Sequence, residues 1–161
     1  IAWYLAEMAT VLDIELEEVL ERNIEKLSRL NGHIKIVLGN HDTDAKVRDY
    51  LKLPNIELVN NQLYANIVKV GKWTFYLSHR PTIMGDVLAG KREPREFCIH
   101  GHTHSDDPFQ FIQYCCYNVA MDAQDNRPVN VKRIQEELRE KVGKKRQDYE
   151  NMRKMKEMIG K

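Results

Sequence analysis

Phe97-Cys98-Ile99-His100-Gly101-His102-Thr103-His104-Ser105 is the stretch on which the reading of this chain turns. Its apolar start has the residue types of a buried strand, and it delivers three imidazoles, on alternate residues around a glycine, to a loop at the strand's end. Neutral imidazole is the commonest protein ligand for first-row divalent metals. The run therefore reads as one part of a metal site whose other parts must come from elsewhere in the chain.

Two more strands end in the same way. His33-Ile34-Lys35-Ile36-Val37-Leu38 runs into Gly39-Asn40-His41-Asp42, and Trp73 to Ser78 runs into His79-Arg80-Pro81. Leu63 to Val70 and Trp73 to Ser78 are rich in β-branched and aromatic residues, and Gly71-Lys72 between them suits a two-residue II′ hairpin turn. Thr43 to Leu53 has helical spacing closed by Pro54, with Asp42 placed to cap it. A charged, proline-broken loop covers Gly85 to Pro94, and Phe109 to Met121 reads as one or two further buried strands. Asn and His ligands without thiolate suit Mn, Fe, Zn or Ni better than a structural Cys-type zinc site. His33 and His100 read as structural or supporting residues.

Helical patterns flank this strand-rich middle. Ile1, Leu5, Met8 and Leu12, then Leu16, Val19, Leu20, Ile24 and Leu27, predict a helical hairpin over residues 1–31, with Asp13 as a cap between its arms and Asn31-Gly32 as its end. From Val131 on, Val131, Ile134, Leu138 and Val142 share one face, Gly143 is expected to interrupt, and Tyr149, Met152, Met155 and Ile159 resume a stripe of the packing kind. That C-terminal segment holds eleven Lys/Arg against six Asp/Glu, net +5, which leaves −4 for residues 1–130 of a chain whose overall charge is +1. A basic segment of this sort can meet nucleic acid or another anion, and is more often a solvated helix face.

With 161 residues, 42% apolar and 30% charged, the chain has the size of one domain with a helical appendage. No apolar run approaches the roughly 18 residues of a membrane span. Cys98, Cys115 and Cys116 are odd in number and sit in apolar runs, so reduced core thiols are expected. With no secretory leader read at the start, the expected compartment is cytoplasmic.

Gly39-Asn40-His41-Asp42, Ser78-His79-Arg80-Pro81 and Gly101-His102-Thr103-His104 resemble, in order and spacing, the last three signature blocks of the calcineurin-like metallophosphoesterase family. Asn118 to Ala123 with Asn126-Arg127-Pro128-Val129 is similar to the tail of its phage-type and bacterial branch, so the likeness covers about residues 24–130. The resemblance implies an α/β fold, a metallophosphoesterase-like β-sandwich over 32–130 with flanking helices. It also implies hydrolysis of a phosphomonoester or phosphodiester by metal-bound hydroxide, without a phosphoenzyme. Asn40, His79 and His102 would then ligate one divalent metal and His104 a second. His41 would stabilise the phosphoryl group or protonate the leaving oxygen, and Asp42 would hold His41.

The chain departs from that family at its front. The Asp-x-His and Gly-Asp blocks that precede Gly-Asn-His are absent, so the first strands of the sandwich are expected to be missing. Two dications about 4 Å apart repel by roughly 16 kcal/mol at an effective dielectric of 20. Without the bridging aspartate one ion is expected rather than two, unless Asp44, Asp86, Asp106 or another chain substitutes. In place of those blocks, Ile1 to Ala9, Glu17-Glu18-Val19 and Asn23 to Leu27 resemble the closing helices of the MazG-like nucleotide pyrophosphohydrolases. Three functions follow: an impaired metal-dependent phosphoesterase, a non-catalytic metal- or partner-binding relic of the fold, and a pyrophosphohydrolase fragment. Self-association is expected from the unpaired apolar face of residues 1–12 and from open sheet edges.

Overall fold

The computed structural model describes residues 25–59 and 66–159. The hairpin expected over residues 1–31 falls mostly outside them; residues 25–28 are helical and give way to a turn at 29–30. The architecture is mixed α and β, and the chain divides into two compact units, Ile1–Leu63 and Tyr64–Lys161. Among the described residues no helix is long and apolar enough to cross a membrane.

In the first unit, β1 (Ile34–Val37) and β2 (Ile56–Val59) pair in parallel, Ile34 opposite Ile56 and Val37 opposite Val59. The crossover between them is α1 (Asp44–Tyr50), shorter at both ends than the helical spacing predicts. His33, just before β1, meets Glu57 of β2 at 2.7 Å, a cross-strand pair on the exposed face. That is a supporting role of the kind its sequence context implies.

The second unit is a four-stranded sheet in the order β3 (Asn66–Val70), β4 (Trp73–Ser78), β5 (Glu96–His100), β6 (Cys116–Asn118). β3 and β4 form the expected hairpin, closing from Val70 opposite Trp73. Gly71 takes φ +61°, and Lys72 is not among the residues of positive φ, the pattern of a II′ turn. β4, β5 and β6 then run parallel, with Ser78 opposite His100 and His100 opposite Asn118. β5 lies between two parallel neighbours and is buried over Phe97–His100, which is why its sequence is apolar without alternation.

Phe109 to Met121 yields one strand of three residues, not two. Ile112–Tyr114 is a 3-10 helix, and Cys115 adopts a left-handed φ of +56° that ends it and starts β6. All three cysteines are free and buried. Cys98 and Cys116 are register partners, and the thiol-to-thiol hydrogen bond between them draws Cys98 down and pushes Cys116 up.

α2 (Val131–Ile159) continues through Gly143, where an interruption is expected from sequence. Glycine costs a helix interior about 1 kcal/mol relative to alanine, and neighbouring contacts offset it. Val142 is 2% exposed, and the Arg146 guanidinium donates to the carbonyls of Val87 (2.7 Å) and Gly90 (2.9 Å). Ile134, Leu138 and Val142 enter the core with Trp73, Phe75, Phe97 and Tyr117. Arg139 lies over the Trp73 ring at 5.7 Å, and Gln135 donates to the Val70 carbonyl. Beyond this anchored half, Tyr149, Met152, Met155 and Ile159 are exposed.

Candidate functional site

Parallel pairing brings the ends of β4, β5 and β6 to one edge of the second unit's sheet, since Ser78, His100 and Asn118 are the last residues in register. The next residues on each strand are therefore neighbours, and such an edge is where open α/β sheets bind ligands. His102 Nδ1 lies 3.0 Å from His79 Nε2, with the ring planes 69° apart. Gly101 N donates to the His79 carbonyl at 3.2 Å, which ties the two loops together below the imidazoles. His102 and His104 both have left-handed backbones, φ +65° and +48°, conformations that cost a non-glycine residue roughly 1 kcal/mol or more.

His104 points to a different partner, with its Nδ1 3.4 Å from Asp122 Oδ2. Asp122 opens the short 3-10 helix Asp122–Gln124 that follows β6. His100 is buried under the loop, 1% exposed, with Nδ1 against the Gly101 carbonyl at 2.9 Å and Nε2 without a hydrogen-bond partner. Burial is the main reason its imidazolium is disfavoured, so His100 is a neutral, structural ring.

Asn118 is the residue that sequence reasoning missed. Fully buried, it donates from Nδ2 to Thr103 Oγ1 (3.3 Å) and the Ser105 carbonyl (3.2 Å) and accepts from Ala120 N (2.9 Å). It thus clamps the histidine loop on both sides of His104. It opens the Asn118 to Ala123 block, but its role is not legible there, because the loop residues it holds lie 13 and 15 residues away.

Asn40, His41 and Asp42 belong to the first unit and follow β1, the position at which the sequence places them. Asp42 does not cap α1: the N-cap is Thr43, with no side-chain cap bond. Its carboxylate instead accepts Gly39 N (2.6 Å) and the Tyr50 hydroxyl (3.2 Å), which closes the turn that carries Asn40 and His41. Tyr50 is pushed up to about 12 by burial first and by the Asp42 charge second.

The structure thus brings His79 and His102 together, sets His104 beside Asp122, and holds Asn40 and His41 on a closed turn of the other unit. Among the described residues, no three or more His, Cys, Asp or Glu side chains form a group that could hold a metal ion. Comparison with protein-family models, curated proteins and solved structures returns no match to this chain.

Proposed function

We propose that the chain is a metal-dependent phosphoesterase of the metallophosphoesterase class, in which His79 and His102 hold a divalent cation, Mn, Fe, Zn or Ni. One observation carries this reading: the 3.0 Å approach of His79 Nε2 and His102 Nδ1 at the carboxyl edge of a parallel sheet. Two imidazole nitrogens each about 2.1 Å from one cation lie roughly 3.0 Å apart at a right angle and about 3.4 Å apart at the tetrahedral angle. The pair therefore has the spacing of adjacent ligands on one ion. The resemblance read from the sequence adds Asn40 to this ion and gives His104 to a second ion position; the two residues assigned here on geometry are His79 and His102.

A bound cation supplies Lewis acidity toward a phosphoryl oxygen and a lowered pKa for water. The chain's own groups do the rest. The turn closed by Asp42 on Gly39 N carries His41, to which the resemblance gives proton donation to the leaving oxygen of a phosphomonoester or phosphodiester. The fold we assign with this activity is the metallophosphoesterase-like β-sandwich.

A second reading is a non-catalytic module that keeps the fold and one cation on the same pair of imidazoles. Hydrolysis of a generic aryl phosphodiester with added Mn²⁺, compared with His102→Ala, decides between them. Turnover well above the variant supports the phosphoesterase. No difference, with one ion or fewer per chain by elemental analysis, replaces it with the binding module.

A further inference from the structure

We propose that Asp122 is the positioning residue of His104: its carboxylate accepts the Nδ1–H of that imidazole and so makes Nε2 the nitrogen presented to a cation or a phosphoryl oxygen. The second clause rests on the phosphoesterase reading; the first does not.

The contact itself is His104 Nδ1 to Asp122 Oδ2 at 3.4 Å, with the imidazole 60% and the carboxylate 29% exposed. An accessible pair at that distance, held by nothing else, would be an ordinary surface contact of little consequence. This one is built from beneath. Asn118 holds both residues that flank His104, through Thr103 Oγ1 and the Ser105 carbonyl. The same side chain accepts from Ala120 N, at the entry to the turn that carries Asp122.

Gln124, 2% exposed, donates to the Asn118 carbonyl at 2.8 Å from the far side of that turn. Ala123 N to Ala120 O (3.0 Å) and Gln124 N to Met121 O (3.1 Å) close the turn around Asp122. The segments that carry His104 and Asp122 are therefore both tied to one buried asparagine. The left-handed backbone of His104, φ +48°, is sustained by the same clamp.

The chemical consequence follows from the two ring nitrogens being distinct. Which of them carries the proton in a neutral imidazole is set by the hydrogen bond the other makes. A carboxylate at Nδ1 selects the Nδ1–H tautomer and leaves a lone pair on Nε2. Ligating histidines are oriented by carboxylates in this way, and loss of that outer partner typically lowers metal affinity 10- to 100-fold. Asp122 would supply that support to His104.

The test begins without metal. In protein labelled with ¹⁵N-histidine, held above the imidazole titration range, the long-range ¹H–¹⁵N pattern of His104 reports its tautomer. We expect Nδ1–H in the wild type, a shift toward Nε2–H in Asp122→Ala, and return toward Nδ1–H in Asp122→Glu. An identical pattern in wild type and Asp122→Ala overturns the proposal, and Asp122→Leu, which likewise offers no acceptor, serves if the alanine variant does not fold. Calorimetric titration with Zn²⁺ follows: a 10- to 100-fold weaker binding component in Asp122→Ala supports the presented Nε2, and unchanged binding refutes it. A wild-type protein that takes up no Zn²⁺ but shows the Nδ1–H tautomer sinks the phosphoesterase reading and leaves the positioning role standing.

Discussion

His102 Nδ1 lies 3.0 Å from His79 Nε2 because β4 and β5 are parallel neighbours whose last paired residues are Ser78 and His100. Twenty-three residues separate the two histidines along the chain, and the sheet register alone removes that distance. The pairing of His79 with His102 depends on this register.

If the two imidazoles share one ion, their contributions are not independent. His79→Ala and His102→Ala should each weaken Zn²⁺ binding about tenfold or more, and the double variant should lose little beyond the worse single one. Isothermal titration calorimetry on the four proteins measures this. Fully additive losses would mean that the imidazoles serve separate sites.

Asn118→Ala removes a buried side chain that makes three hydrogen bonds and leaves Ala120 N and the Ser105 carbonyl to find other partners. A cost of about 2–3 kcal/mol is expected from orphaned buried polar groups. Urea unfolding followed by circular dichroism should show it, together with altered His102 and His104 resonances below the transition.

α2 is anchored over only its first half, and truncations along it should differ accordingly. Leu138→Ala, at a position 0% exposed, should destabilise by about 2–5 kcal/mol. Met155→Ala, 59% exposed, should stay within about 0.5 kcal/mol. Equal midpoints in a denaturant titration would contradict the assigned core.

Tyr117 is fully buried and donates to Glu137 Oε2 at 2.5 Å; burial first, and that bond second, push its pKa from 10.0 to about 12. The native state keeps the phenol proton over a range in which the unfolded chain releases it. The corresponding stability is present below pH 10 and is lost as the pH rises from 10 to about 12. Two pKa units correspond to about 2–3 kcal/mol. In Tyr117→Phe the alkaline fall in stability should flatten by that order, although the variant is less stable at neutral pH for want of the Glu137 bond. An unchanged alkaline limb would remove Tyr117 from the account.

Much of the second unit is legible in the sequence. Gly71-Lys72 between two β-branched, aromatic runs marks the hairpin, and the apolar run Phe97–Ile99 marks a strand covered on both faces. These signals are local, written within a few residues. The reading of Gly143 as an interruption was local as well, and it failed because Val142 is buried in the core and Arg146 is held by Val87 and Gly90, more than 50 positions upstream. Phe109 to Met121 holds one of the one or two strands expected. Its apolar residues do enter the core, but a left-handed Cys115 lets them do so from a 3-10 turn and one short strand.

The sequence by itself determined which residues stand at strand ends, Asn40 and His41 after β1, His79 after β4 and His102 after β5, because polar ligand types after an apolar run are visible one strand at a time. Only the tertiary structure decided that β4, β5 and β6 are parallel neighbours, that His79 meets His102, that His104 meets Asp122, and that Asn118 holds the loop between them. The physical reason is that strand pairing and register are chosen by burial summed over the whole sheet. No single stretch of the chain records that sum.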